Sequence, residues 1–490
     1  MSSVLAVDQG ITGTRAVVFG DQGQQVASAY RELTQYYPEE GWVEHDPVEI
    51  WQSVQAVVEE AVEQAGSAPV AVGLANQRET TVLWDRRTGQ PLHRAIVWQC
   101  RRTADLCAEL KAQGLEPLVR ERTGLVLDPY FSGTKLRWLL DHVPGAREQA
   151  ERGEALFGTV DTWLLYHLTG GRAHVTDRTN ASRTLLYDLR RRDWDLELLD
   201  ALSIPRACLP EIRDSVALYG EIEAGPLTGR PVLGVAGDQQ AALFGQGCVR
   251  PGERKNTYGT GCFLLLNTGE TPVRSEQGLL TTAACGENGR PCYALEGSVF
   301  VGGAVVQWLR DELGLIATAE ESEAVAASVP DTGGVIMVPA FVGLGAPHWD
   351  PNARGAILGL TRGTGRAQLV RAGLEAIAFQ SGEVVQAMEA EAGERTSVLR
   401  VDGGACRNDL LMQMQADLSA CPVERPRETE TTALGAAFLA GLGAGVWRNT
   451  DELRRLNPTE RRFEPTMADE QRKRKWAAWR EAVTRVLSAV

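Results

Sequence analysis

Asp238 follows the apolar run of residues 232–237 and precedes a small-residue stretch that opens with Gln239 and Gln240, so a carboxylate and two amides stand where a strand should become a helix. Such a turn offers unbonded backbone N–H groups and a side-chain anion to a bound ligand. A carboxylate placed there can accept a proton, which makes Asp238 the candidate for the chemistry of this chain. A second carboxylate, Asp8, ends the apolar run of residues 4–7 and begins the turn Gln9-Gly10-Ile11-Thr12-Gly13-Thr14-Arg15, ahead of a strand over residues 16–19. Glycines let backbone approach a ligand, threonines supply hydroxyls and Arg15 supplies charge, a set suited to phosphate. The plain alternative is a hairpin whose Asp8 accepts its own turn amides.

Three further stretches carry polar groups at the ends of expected elements. The strand over residues 70–75 runs into Asn76-Gln77-Arg78-Glu79-Thr80, and ligands of open α/β sheets collect at the carboxyl ends of strands. Arg78 and Glu79 are candidates for hydrogen-bonding a polar substrate, against the blander reading of a solvated pair. Trp98, at the end of another apolar run, can pack on a carbon edge, although a single tryptophan is more often core. In the second half, residues 255–266 repeat the plan of residues 4–19, with Gly259-Thr260-Gly261 in the turn. Residues 399–401 deliver Asp402-Gly403-Gly404-Ala405 to a helix start at Asn408, and such glycines admit the flat adenosine end of a nucleotide.

Those groups need scaffolding, and 490 residues suit two domains of roughly 200 to 250 residues. The expected division is 1–247 and 248–490, two copies of one architecture with Asp238 in the cleft between them. Asp46-Pro47 should open a helix that Gly66 closes. Residues 157–168 read as an amphipathic helix, 367–392 as a long helix, and 431–445 as a small-residue helix packed behind the Asp402 turn. The net charge of −14 argues against nucleic acid or a membrane surface as partner. None of the five lysines follows a glycine, which excludes a Gly-Lys-Ser/Thr phosphate loop. Nine cysteines without a Cys-x-x-Cys pair suit a reducing compartment, and no run approaches the ~18 apolar residues of a membrane span. A cytoplasmic protein is expected.

The segments Asp8 to Arg15, Asn76 to Thr80, Trp98-Gln99-Cys100-Arg101-Arg102, Phe131-Ser132-Gly133-Thr134-Lys135, Gly237-Asp238-Gln239-Gln240, Asn256 to Cys262 and Asp402 to Ala405 resemble, in order, the motifs of the FGGY carbohydrate kinases and, among them, those that phosphorylate glycerol. The resemblance implies an α/β fold of two actin-like (ribonuclease H-like) domains closing on ATP and Mg²⁺, with the γ-phosphoryl group passing to a glycerol hydroxyl. It implies Arg78, Glu79, Tyr130, Asp238 and Gln239 as hydrogen-bonding partners of the triol, with Trp98 and Phe263 flanking its carbons. It implies Thr12, Gly13, Arg15, Thr260, Gly303, Gln307, Gly404 and Asn408 along the nucleotide. Asp8 and Asp238 would serve Mg²⁺, and the assembly would be a dimer or tetramer.

The match has departures. Ile11 and Gly13 stand where the family usually carries hydroxyl residues, and the Gly-Gly-Thr-Arg-Ile-Pro effector loop of some members is replaced by residues 225–231. Two other readings stay open at this level: a kinase for a longer polyol or ketose, and an actin-like ATPase that binds protein.

Overall fold

Residues 4–7 are fully buried along their whole length, which a strand tolerates only when both faces of its sheet are covered. In this computed structural model, which describes residues 2–287 and 289–488, β1 (Ser3–Gln9) pairs antiparallel with β2 (Gly13–Gly20), and β2 with β3 (Gln25–Glu32). Helix α1 (Pro47–Ala65) follows. Its Asp46 cap accepts from the Val48 N–H at 2.8 Å, and Gly66 ends it at φ 66°, as the sequence predicts. Strand β4 (Ala71–Asn76) lies parallel to β1. After α2 (Ser132–His142), α3 (Val160–Leu168) and β5 (Val216–Glu221), β6 (Pro231–Gly237) runs parallel to β4 and leads directly into α4 (Asp238–Gly245). The sheet order is β5-β6-β4-β1-β2-β3.

The second half repeats this plan with one strand added at the edge. Its elements are β7 (Arg254–Tyr258), β8 (Cys262–Gly269), β9 (Leu280–Ala283), β10 (Tyr293–Val299), α5 (Ala304–Asp311), α6 (Arg366–Ala392), β11 (Leu399–Asp402), α7 (Asp409–Ser419), β12 (Val423–Pro426), α8 (Thr431–Gly443), β13 (Thr459–Phe463) and α9 (Asp469–Thr484). The order β9-β10-β8-β7-β11-β12-β13 matches the first sheet from β10 onward. β7 is antiparallel to β8 and parallel to β11, as β1 is to β2 and β4. Two copies of one mixed sheet is the architecture expected for the two halves. No described helix is long and apolar enough to cross a membrane, and all nine cysteines are free thiols.

Three local expectations change, the third at α8. Asp8 and Arg15 are strand residues, because β1 continues to Gln9 and β2 starts at Gly13, leaving residues 10–12 as the turn. Residues 157–168 are no amphipathic helix. Phe157 belongs to the strand Ala155–Gly158, paired with Val82–Asp85, and α3 is buried on every side except at His167. The run is apolar all round because it fills space between two layers, and its Asp161 is satisfied by Thr159 and Thr176 hydroxyls at 2.5 and 2.7 Å.

Helix α8 touches the Asp402 turn only at its start, where the Thr431 hydroxyl donates to Asp402. Its body lies on the sheet of the first half. Ala433, Ala436, Ala437 and Leu439 share a core with Val4, Ala6, Val17 and Ala236, while α1 covers the opposite face through Ile50, Val54 and Val57. Helix α8 crosses α4 where Gly435 has no side chain, because a Cβ there would run into the Ala241 carbonyl. Gly435→Val should therefore cost about 1–3 kcal/mol by overpacking, read as a lower urea midpoint. An unchanged midpoint would mean the two helices are free to separate.

Candidate functional site

The loop leaving β4 is tied to the first turn. The Gln77 N–H donates to the Gln9 carbonyl at 2.7 Å, and its Nε2 donates to Gln9 Oε1 at 3.1 Å and the Gly10 carbonyl at 3.2 Å. Glu79 sits at φ 61°, a conformation that costs a non-glycine residue of order 1 kcal/mol and persists only under constraint. The constraint is visible: its carbonyl accepts from Ser132 at 3.0 Å and Thr81 at 3.1 Å. Across from it, β6 ends at Gly237, and the Gln239 N–H donates to Asp238 Oδ1 at 2.7 Å.

Between these two strand ends lies a buried ionic network. Both terminal nitrogens of Arg78 donate to Glu296, at 2.5 and 2.9 Å, and its Nε stands 3.2 Å from Asp238 Oδ1. Arg183 donates to Glu79 at 2.6 Å and to Glu296 at 3.0 Å. The four side chains of Arg78, Glu79, Arg183 and Glu296 are at most 2% exposed. Burial alone would push Glu296 up, but Arg183 and Arg78 hold its carboxyl down at about 2. Burial raises Asp238 against the pull of Arg78, and raises Glu79 against Arg78 and Arg183. Glu296 lies on β10 of the second half, so this network stitches the halves together. Glu296→Gln should cost about 3–5 kcal/mol, the scale of breaking a buried ion pair, and equilibrium urea unfolding measures it. A loss below 1 kcal/mol would mean that water or a rearranged Glu79 replaces the carboxylate.

Above the network is a cleft of about 430 Å³ lined by Thr12, Arg78, Glu79, Trp98, Tyr130, Asp238, Gln239, Thr260, Phe263 and Gln307, together with Ile11, Gln35, Tyr37, Gln99, Gly261 and Phe300. Ten of the residues singled out in the sequence therefore meet in one space. Trp98 turns its edge to Tyr130 and Phe263, with ring centroids 5.2 and 6.4 Å apart, forming an aromatic wall opposite the charged floor. Lys135, buried beneath, donates to the Tyr130 and Phe131 carbonyls at 2.5 and 3.0 Å and fixes that turn.

The other candidates stand outside this lining. Gly13 is pressed against Tyr30 and the Arg31 carbonyl, so a side chain there would collide; its exchange for a hydroxyl residue is a packing matter. Arg15 reaches toward Glu430 of the second half at 3.7 Å. Gly303 precedes α5, and its amide donates to the Gly259 carbonyl at 2.9 Å. Gly404 faces open space, whereas the Asn408 side chain caps α7 through the Leu411 N–H at 2.9 Å and donates to Ser322 at 3.2 Å. Glu296, Arg183 and Lys255 were missed; Gln240, one of the two amides named at the Asp238 turn, accepts from Arg78 at 3.2 Å. A lone carboxylate inside Tyr-Ala-Leu-Glu-Gly-Ser-Val, and a lysine in a chain with five, were the available signals.

Asp8 carries the charge argument for a cation. Burial first, then Asp238 and Glu430, raise its carboxyl to about 8. Among the described residues no three ligating side chains form a metal cage. A divalent ion that keeps most of its water and binds phosphate needs only one or two carboxylates, so Asp8 and Asp238 fit Mg²⁺ in that mode. Without ligand, a carboxyl raised in the folded state stabilises below its unfolded value near 3.8 and loses that contribution as pH rises through 8. Asp8→Asn should hence resist urea better than the parent at pH 9 without metal, the two converging near pH 4. A parent that is the more stable at pH 9 would overturn the shift.

Comparison with known proteins agrees with this geometry. Residues 3–245 match the model of the FGGY family of carbohydrate kinases, N-terminal domain, and residues 255–444 match its C-terminal domain. The chain is 61% identical to a glycerol kinase of Dechloromonas aromatica, over 99% of this chain and 97% of that one. It is 58% identical to a glycerol kinase of Shewanella amazonensis, over 99% of each. Its fold superposes on a Plasmodium falciparum glycerol kinase solved with ADP at a TM-score of 0.93, with 37% identity, covering 100% of this chain and 99% of that one. With both halves matched and full-length relatives above half identity, the chain belongs to the FGGY family of carbohydrate kinases.

Proposed function

We propose that the chain is an ATP-dependent glycerol kinase, transferring the γ-phosphoryl group of ATP to glycerol to give sn-glycerol 3-phosphate and ADP. The observation that supports it most is the meeting of Arg78, Glu79, Tyr130, Asp238 and Gln239 with Thr12 and Thr260, one residue from each Gly/Thr hairpin, around a single cleft. Residues 1–247 would hold the triol and, through Thr12, Gly13 and Arg15, the phosphates, and residues 248–490 the nucleotide, with Thr260, Gly303, Gln307, Gly404 and Asn408 along it. Phosphoryl transfer is loose and largely dissociative, so the protein mainly positions reactants and balances charge. The charged floor and the Trp98–Phe263 wall orient the triol. Asp238 accepts the hydroxyl proton as the new O–P bond forms and the bond to the ADP oxygen breaks, a role open to a weak base. Asp8 and Asp238 would hold Mg²⁺, which when bound would supply charge neutralisation at the phosphate oxygens. A dimer or tetramer in the cytoplasm completes the proposal.

The test is Mg-ATP-dependent ADP release with glycerol, dihydroxyacetone, erythritol, xylulose or no acceptor. Turnover should be strongest with glycerol, and Asp238→Asn should lower kcat roughly 10²- to 10⁴-fold. A preference for xylulose would reassign the acceptor, and acceptor-independent release would overturn the kinase reading.

A further inference from the structure

Lys255 is fully buried at the start of the second half, and nothing in the proposed chemistry uses it. Its ammonium donates to three oxygens: Gln239 Oε1 at 2.5 Å, Thr257 Oγ1 at 2.7 Å and the Phe263 carbonyl at 3.1 Å. Thr257 and Phe263 face each other across the β7–β8 pair, on either side of the Gly259-Thr260-Gly261 turn. Gln239 belongs to α4 of the first half and lines the cleft, at what the proposed function makes its acceptor end. One buried cation thus joins the acceptor side of one half to the phosphate hairpin of the other.

We propose that Lys255 is a positioning residue that sets the polarity of Gln239 and couples acceptor binding to the second phosphate hairpin. A carboxamide can turn either its oxygen or its NH₂ toward the cleft. An ammonium has only donors, so Lys255 claims the oxygen and leaves Gln239 Nε2 as the group that faces the acceptor. Gln239 therefore donates to a substrate oxygen. Burial pulls the Lys255 ammonium down to about 8, and Asp402, Asp238 and Glu296 oppose that shift. The same three bonds hold the two strands of the hairpin at a fixed distance from α4, so an acceptor that engages Gln239 also steadies the turn carrying Thr260. The inference rests on the proposed role of Gln239 at the acceptor.

A double-mutant cycle tests it, with Gln239→Leu, Lys255→Met and the pair, reading KM for glycerol and for ATP together with kcat. Charge-assisted hydrogen bonds set the scale, so Lys255→Met should raise the glycerol KM roughly 10- to 100-fold with a smaller change in the ATP KM. In the Gln239→Leu background the same substitution should add less than a threefold further rise, because its effect is already gone. Lys255→Arg, which keeps the donors, should restore glycerol KM to within several-fold of the parent, and it keeps the test open if Lys255→Met fails to fold. Additive effects of the two substitutions, or an unrestored KM in a folded Lys255→Arg, would overturn the coupling. If Gln239→Leu alone leaves the glycerol KM unchanged, the acceptor role of Gln239 falls instead.

Discussion

The bidentate pair between Arg78 and Glu296 is the interaction on which the rest of the site depends. Taking a guanidinium out of water is costly, and it is tolerated here because Glu296 takes both terminal nitrogens while Asp238 stands 3.2 Å from the third. Arg183 then balances the second carboxylate, Glu79, and bonds Glu296 as well. Two cations and two carboxylates at most 2% exposed leave little freedom for any of them. The floor of the cleft is therefore set before a ligand arrives, and preorganised charge is what a loose phosphoryl-transfer transition state requires.

That network crosses between the two repeated sheets, and so does helix α8. The helix belongs by chain order to the second half, yet covers one face of the first sheet through Ala433, Ala436 and Ala437. Close approach at Gly435 lets it lie against α4, the helix whose first turn carries Asp238 and Gln239. Small residues with little side-chain interlock favour sliding of one helix along another over prying them apart.

Recognition of a small triol has little apolar surface to work with. Discrimination has to come from polar groups left unpaired when the wrong ligand enters. In the proposed function Glu79, the buried hydroxyl of Tyr130, the raised Asp238 and the amide of Gln239 would each be costly to leave without a partner. In the proposed function the aromatic wall of Trp98 and Phe263 would add shape.

The sequence by itself determined the elements that carry the site. The cap at Asp46, the strand ends at Asn76 and Gly237, the paired Gly/Thr hairpins and the Asn408 helix start all follow from local rules, because capping, turn chemistry and apolar runs act within a few residues. The seven ordered motifs extended this to a two-domain α/β kinase with its cleft residues named by number. Tertiary structure alone decided the partners. Glu296, Arg183 and Lys255 lie 218, 105 and 177 residues from Arg78, and neither a strand pattern nor a turn records which distant charge will neutralise which. The position of α8, expected behind the Asp402 turn, was misread for the same reason: a small-residue helix announces close packing but not its neighbour. Residues 157–168 were misread because one apolar run can serve a strand and a buried helix, and only the layers around it choose.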